Sequence, residues 1–257
     1  METITKYSDP WIRRFQPADD APVRLVCFPH AGGSATFYFS VATALSPDVD
    51  VLAVQYPGRQ DRRNEECVDD IHVLADQIFD ALRPWADRPL AVFGHSMGAT
   101  VAYEVARRME SEGNAPLGLF ASGRRAPSRY RDESVHRRDE AGLIAALKEL
   151  SGTDEAVLGD EELLRMVLPA VRGDYKAVET YRHREGPRLT CPVAVLVGDS
   201  DPVTSLDEAE AWREHTDGPY TLDVFADGGH FYLNSQSERV LKAVDRSVRT
   251  WATALTG

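Results

Sequence analysis

A serine between two glycines, in the sequence Gly-His-Ser-Met-Gly at residues 94–98, is the clearest candidate for covalent chemistry. An apolar run, residues 90–93, precedes it, and a helix-forming stretch, residues 97–109, follows it. A strand, a tight turn and a helix in this order make a nucleophile elbow, which presents a serine hydroxyl at a helix N-terminus. We therefore predict that Ser96 is a nucleophile. A plain turn with a capping serine is the alternative.

A serine hydroxyl becomes reactive when a base accepts its proton. Of seven histidines, His230 follows the last predicted strand, as the base does in this chain order. His95 adjoins the serine and is expected to point elsewhere, and His30 belongs to another loop. We therefore predict that His230 is the base. The remaining histidines lie in helical or exposed contexts, where we expect them to be solvated: His72, His136, His183 and His215.

The base needs a carboxylate that holds its tautomer and stabilises the imidazolium. The loop after the fifth predicted strand offers Asp199 and Asp201, and Pro202 favours an extended conformation at Asp201. We favour Asp201, with Asp199 as the main alternative. Asp227 is a weaker alternative because it lies only three residues before His230.

Attack on a carbonyl creates an oxyanion, which backbone N–H groups can stabilise. One predicted donor is the N–H of Met97, the residue after the nucleophile. The second is expected in the loop after the first parallel strand, Pro-His-Ala-Gly-Gly-Ser at residues 29–34, where Ala31 is the preferred donor. A simple glycine turn is the alternative for this loop.

Short apolar runs with helical segments between them would position these residues. The runs are residues 23–28, 51–55, 90–93, 117–121, 193–197 and 221–225, and residues 11–15 could add an edge strand. Near-continuous apolar strands are typical of a parallel sheet covered on both faces. Together with the serine turn, the alternation predicts an α/β class protein with the α/β-hydrolase fold, a mostly parallel central sheet with helices on both faces.

A long segment interrupts this alternation. Residues 128–187 separate the fourth and fifth predicted strands, which is too long for a single crossover. An insertion at this point would lie over the carboxyl ends of the strands, where α/β sheets bind ligands. We therefore predict a helical lid over residues 128–187 within a single domain spanning residues 1–257. The predicted helices are residues 68–82, 97–109, 139–150, 160–181 and 236–254.

Composition narrows the function further. The 257 residues include 29 Lys and Arg against 41 Asp and Glu, a formal net charge of −12, which disfavours nucleic acid and anionic membranes as partners. No apolar run approaches the roughly 18 residues of a membrane span, and residues 1–22 lack the apolar core of a signal peptide. Three scattered cysteines show neither metal-site nor disulfide spacing. We expect a cytoplasmic monomer that needs no metal or organic cofactor.

Five stretches taken together resemble the type II thioesterases of polyketide and non-ribosomal peptide biosynthesis. They are residues 28–33, 56–59, 94–98, 198–201 and 228–231, and residues 11–15 are similar too. The resemblance implies a stand-alone enzyme that hydrolyses acyl thioesters on the phosphopantetheine arm of an acyl or peptidyl carrier protein, removing aberrant acyl groups. It also implies a catalytic triad of Ser96, Asp201 and His230, with Ala31 and Met97 as oxyanion donors.

Some positions depart from that family or have no assigned role. Ala99 stands where many members have a further glycine, a change that leaves the elbow intact. The Tyr-Pro-Gly-Arg motif at residues 56–59 marks the family, and either a loop-shaping or a ligand-binding role is open. Integrated, chain-terminating thioesterase domains usually carry the acid one strand earlier. Here that loop has no carboxylate before Asp132, which favours the stand-alone type.

One segment has an unusual local charge. Residues 124–138 hold six arginines against Asp132 and Glu133. This excess indicates either a docking site for an acidic carrier protein or a pantetheine phosphate, or simply a solvated lid surface. Two rival functions also stay open: a small-molecule carboxylesterase or lipase of the same fold, and a non-catalytic binding protein.

Overall fold

The central feature of the fold is a mostly parallel β-sheet. The structure, a computed structural model, describes residues 9–150 and 161–255. Within these ranges the sheet has seven strands in the order β1-β3-β2-β4-β5-β6-β7, all neighbours being parallel except β1 and β3. The strands are β1 Ile12–Arg13, β2 Val23–Phe28, β3 Val49–Val54, β4 Leu90–His95, β5 Leu119–Ser122, β6 Val193–Gly198 and β7 Tyr220–Phe225.

Each predicted apolar run forms a strand. All residues of β2 to β6 are buried, whereas β7, at the sheet edge, is largely half-buried or exposed. The predicted edge strand at residues 11–15 is shorter than expected, since only Ile12–Arg13 pairs with β3. The prediction of a mostly parallel sheet is confirmed.

Helices cover both faces of this sheet. Of the predicted helix over residues 68–82, the first three residues are not helical, because Asp70 caps the N-terminus by accepting the Val73 N–H at 3.0 Å. Three short helices, at residues 39–45, 206–210 and 232–235, carry no long apolar stripe, and the sequence pattern does not predict them. The described helices are α1 Phe39–Leu45, α2 Ile71–Leu82, α3 Met97–Ser111, α4 Glu140–Leu150, α5 Glu161–Thr180, α6 Leu206–Glu210, α7 Tyr232–Ser235 and α8 Ser237–Ala254.

The core divides between the two faces of the sheet. On one face, α2 and α3 bury side chains such as Ile78 and Val101 against the strands. On the other face, α1 and α8 bury Leu45, Val240 and Val244. Because apolar packing fixes the sheet from both sides, the loops at the carboxyl ends of its strands are held on a rigid support. No helix of the described ranges is long and apolar enough to cross a membrane.

Two helices lie within the segment predicted as a lid. They are α4 and α5, and the residues between them, 151–160, fall outside the described part of the chain, as does the first residue of the predicted helix 160–181. The two helices pack on each other through Leu143, Leu147, Leu168 and Val171, an apolar cluster distinct from those on the sheet faces. A helix pair with a small core of its own is compatible with a lid, which stays a prediction.

Candidate active site

Ser96 occupies a strained turn between β4 and α3. Its backbone lies at φ 56° and ψ −120°, a region that residues with side chains seldom adopt. A Cβ on Gly94 would lie 2.1 Å from the carbonyl oxygen of Gly98, and a Cβ on Gly98 would lie 2.1 Å from the carbonyl oxygen of Phe28. Both glycines of the motif are therefore required because strand, helix and neighbouring strand approach one another so closely.

Three side chains from distant loops meet at this turn. His230 Nε2 lies 3.0 Å from Ser96 Oγ, and His230 Nδ1 lies 2.9 Å from Asp201 Oδ2. The second oxygen of Asp201 accepts the Val203 N–H at 2.9 Å, which fixes the carboxylate. The side chains of His230 and Asp201 are 2% and 0% exposed. This arrangement can move a proton from the hydroxyl to the imidazole while the carboxylate stabilises the resulting cation.

The structure separates the aspartates that the sequence left open. Asp199 is exposed, and its carboxylate accepts a hydrogen bond from Ser200 Oγ. Asp227 is also exposed, with a backbone φ of 58°. Among these described aspartates, Asp201 is the one that hydrogen-bonds to His230. The parallel register of β6 and β7, which pairs Gly198 with Phe225, brings the loops of Asp201 and His230 side by side.

Two backbone N–H groups, one in the loop after β2 and one directly after Ser96, have no hydrogen-bond acceptor within the described chain. Within the described chain, neither the Ala31 N–H nor the Met97 N–H donates a hydrogen bond. Ala31 lines the cavity that also contains Ser96 and His230. The neighbouring Gly32 N–H, by contrast, is already engaged with Asp174 Oδ2 at 2.7 Å. Ala31 and Met97 therefore have N–H groups that no protein acceptor occupies in the described chain, and their role as oxyanion donors stays a prediction.

Two further histidines surround His230 and are held neutral. Burial, followed by the charges of His230 and Arg59, lowers the pKa of His30 to about 3. Burial, followed by His230 and His30, places the pKa of His95 well below its usual value. His95 Nδ1 lies 2.9 Å from Ser122 Oγ, and its ring centre is 5.0 Å from that of His230. Near neutral pH, neither ring can supply a proton in place of His230.

Because these two histidine rings are buried and neutral, we predict that acid lowers the free energy of unfolding. In the unfolded chain His30 binds a proton below its ordinary pKa of 6.5, whereas in the folded chain its pKa is about 3. The free energy of unfolding should therefore be intact above pH 6.5 and fall by up to about 1.4 kcal/mol per pH unit for this residue as pH drops below it. Denaturant titrations between pH 7 and pH 5 measure this slope. A His30→Phe variant should show a shallower slope, and identical slopes would contradict the prediction.

The prediction that the other four histidines are solvated is wrong for His215, and His72, His136 and His183 are half-buried. His215 is buried, and its Nε2 contacts Ser128 Oγ at 2.9 Å. Tyr103 OH lies 3.1 Å from His183 Nε2 and 3.4 Å from His215 Nδ1. His136 is paired with Glu179, and the His72 ring lies against Tyr181. Their local sequence is helical or polar, but residues far along the chain cover them.

The site opens into a chamber of about 360 Å³. Ser96 and His230 lie in one wall, and the remaining walls come from the loop after β5 and from α4 and α5. Sequence patterns did not single out Leu147, Tyr175 and Val178 because these lining residues are far from the motifs along the chain. Among the described residues, no group of three or more His, Cys, Asp and Glu side chains could hold a metal ion. The lining residues include Arg124, Glu133, Leu147, Tyr175, Val178 and Phe231.

The arginine-rich segment is partly neutralised by two acids that lie outside it, Glu208 and Glu214. Arg124 lines the chamber instead of the outer surface, and Arg125 is only 4% exposed. Three of the six arginines have an acidic partner in the described structure, two of these acids lying beyond the segment. Six arginines less Asp132 and Glu133 leave four excess positive charges, and these two outside acids offset two of them. The ion pairs are Arg125–Glu133, Arg129–Glu214 and Arg131–Glu208.

Known proteins are similar to this chain in sequence and in fold. The thioesterase domain family profile matches residues 23–248. Over 230 residues, 90% of this chain, it is 54% identical to the probable cadicidin biosynthesis thioesterase of Streptomyces griseus, of which it spans 63%. Over 228 residues, 88% of this chain, it is 54% identical to thioesterase PikA5 of Streptomyces venezuelae, of which it spans 81%.

A solved structure agrees in both fold and length. The type II thioesterase BorB from the borrelidin biosynthetic cluster superposes with a TM-score of 0.88 at 55% identity, over 93% of this chain and 97% of BorB. The resemblance inferred from the five sequence stretches is thereby confirmed. The chain belongs to the thioesterase family, hydrolases of thioester bonds, and has the α/β-hydrolase fold of its type II members.

Proposed function

We propose that the chain is a stand-alone thioesterase that removes acyl groups from the phosphopantetheine arm of an acyl or peptidyl carrier protein. The observation that carries this proposal is the hydrogen-bonded line from Ser96 Oγ through His230 to Asp201 at the wall of a chamber, in a chain of this family. The similarity to BorB, a type II thioesterase, supports the stand-alone type. We keep the cytoplasmic, monomeric state as a prediction.

In the proposed first half-reaction, His230 accepts the proton of Ser96 as Oγ attacks the thioester carbonyl. The tetrahedral oxyanion accepts hydrogen bonds from the N–H groups of Ala31 and Met97. His230 then protonates the departing pantetheine sulfur, and an acyl-enzyme remains on Ser96. Asp201 stabilises the imidazolium throughout and does not take its proton.

The second half-reaction releases the free acid. Water enters the chamber, and His230 accepts one of its protons as the oxygen attacks the acyl carbonyl of the ester on Ser96. The same two N–H groups stabilise the second oxyanion. Collapse breaks the ester bond, and the proton returns from His230 to Ser96 Oγ. The chamber between the strand ends and the α4–α5 pair would hold the acyl chain, with this helix pair acting as a lid.

Kinetics on one acyl group carried three ways test this function. We expect the carrier-bound thioester to show a lower KM than the same thioester on free pantetheine, because the carrier adds contacts outside the chamber. The kcat values should be similar, because the bond broken is the same. A simple alkyl ester of that acid should be the poorest of the three.

Each rival function has its own signature in this experiment. A kcat/KM that is highest on the simple ester would favour the carboxylesterase alternative and contradict the proposal. Turnover no faster than that of a Ser96→Ala control on all three substrates would favour the non-catalytic binding protein.

A further inference from the structure

A buried ion pair joins the Tyr-Pro-Gly-Arg motif to the helix pair above the site. Arg59 Nη1 lies 2.6 Å from Asp174 Oδ2, and Arg59 Nη2 lies 2.8 Å from Asp174 Oδ1, a two-pronged contact across 115 residues of chain. Arg59 is 8% exposed and Asp174 is 1% exposed. Burial acts to lower the pKa of Arg59, but the neighbouring Asp174 raises it above its usual value, so Arg59 stays charged.

Both charged groups also hold the loop that carries Ala31. Asp174 Oδ2 accepts the Gly32 N–H at 2.7 Å, and Arg59 Nη1 donates to the Gly33 carbonyl oxygen at 3.0 Å. Gly32 has φ 75°, and a Cβ there would lie 2.8 Å from Val171 on α5. The loop is therefore tied to α5 by a charged hydrogen bond and by close packing.

These contacts fix the direction of the Ala31 N–H. The carbonyl oxygen of His30 accepts the Gly33 N–H at 2.9 Å. In a trans peptide the C=O and N–H point in opposite directions, so this bond turns the Ala31 N–H the other way. Asp174 holds the peptide unit between Ala31 and Gly32 by accepting the Gly32 N–H. Arg59 holds the unit between Gly33 and Ser34 by donating to the Gly33 carbonyl oxygen. The turn has little freedom to rotate while the ion pair is intact.

We propose that Arg59 and Asp174 are positioning residues for the oxyanion hole, holding the residue 30–33 turn so that the Ala31 N–H faces the oxyanion. This inference rests on the proposed function, because it assigns Ala31 as a donor. It gives the motif at residues 56–59 a structural task, and neither Tyr56 nor Arg59 lines the chamber. It also makes α5, through Asp174, part of the support of the hydrolytic site.

A second buried ion pair supplies a matched control. Arg24 and Asp50, 2% and 0% exposed, pair near the amino ends of β2 and β3, away from the carboxyl-end loops. Asp50→Asn and Asp174→Asn each neutralise a buried carboxylate of nearly the same burial. Both substitutions should lower stability. Only Asp174→Asn should disturb the chemistry.

The test combines kinetics with the binding of an alkylboronic acid, which forms a tetrahedral adduct on a nucleophilic serine. For Asp174→Asn, we expect kcat on the pantetheine thioester to fall by about ten- to a hundredfold with little change in KM, because a donor is misplaced and not removed. The boronate inhibition constant should rise by the same factor. Asp50→Asn should leave the boronate inhibition constant unchanged, because a loss of folded fraction lowers only the apparent kcat and not the affinity of the folded protein.

If Asp174→Asn does not fold, Arg59→Lys gives the same test, because it keeps the charge opposite Asp174 but loses the fork that reaches Gly33. Unchanged boronate affinity and kcat in a folded variant would overturn the positioning role. A loss of boronate affinity in Asp50→Asn equal to that in Asp174→Asn would also overturn it. A wild-type chain that binds boronate but hydrolyses no acyl-carrier or acyl-pantetheine thioester would overturn the proposed function alone. The boronate comparison would still test Arg59 and Asp174.

Discussion

Replacing Ser96 with alanine is expected to lower kcat on an acyl thioester by on the order of a million-fold, with little change in KM. The alanine protein lacks the oxygen that forms the acyl-enzyme, so only direct attack by water in the preformed site remains. The proposed oxyanion donors and the chamber are untouched, which preserves substrate binding. Single-turnover kinetics on a pantetheine thioester would measure the residual rate, and mass spectrometry would look for the acyl-enzyme in the parent protein.

A His230→Ala variant provides the companion measurement. Because Ser96 Oγ and His230 Nε2 act as one unit at 3.0 Å, the single losses should be similar, and the double variant should be hardly worse than either. Losses that multiply in the double variant would show that the two residues act independently. A Ser96→Ala protein that retains full activity would remove the proposed mechanism.

Replacing Asp201 with asparagine is expected to lower kcat by about ten-thousand-fold. The amide has nearly the shape of the carboxylate, but it cannot stabilise the imidazolium and favours the wrong His230 tautomer. The buried 2.9 Å contact to His230 Nδ1 makes this charge effective, since solvent does not screen it. The pH dependence of kcat/KM, together with kcat itself, would measure the change.

Asp199→Asn is the matched control, two residues earlier in the same loop. Its exposed carboxylate contacts Ser200 and not His230, so kcat should stay within about twofold of the parent. Equal losses in the two variants would point to a general disturbance of the loop. A larger loss of kcat in Asp199→Asn than in Asp201→Asn would show that Asp199, and not Asp201, is the acid.

Local chemistry explains what the sequence by itself determined. The glycines around Ser96 are required by backbone approach within a few residues of one another, so the turn is visible in the motif. Apolar runs set by burial on both faces identify the strands, because burial requires side chains that need no water. The order of strands and loops along the chain then places residues 94–98, 198–201 and 228–231 at one edge of the sheet.

Tertiary structure alone decided which groups touch. Asp199 and Asp201 share a loop, and only the path of the backbone after β6 brings one carboxylate to His230. Partners lie far along the chain for the buried histidines, for Arg129 and Arg131 after β5, and for Arg59, whose partner Asp174 is 115 residues away. Ion pairs and hydrogen bonds depend on distance in space, which sequence spacing does not record. For the same reason, the hydrogen bond between the Gly32 N–H and Asp174 on α5 is visible only in the folded chain.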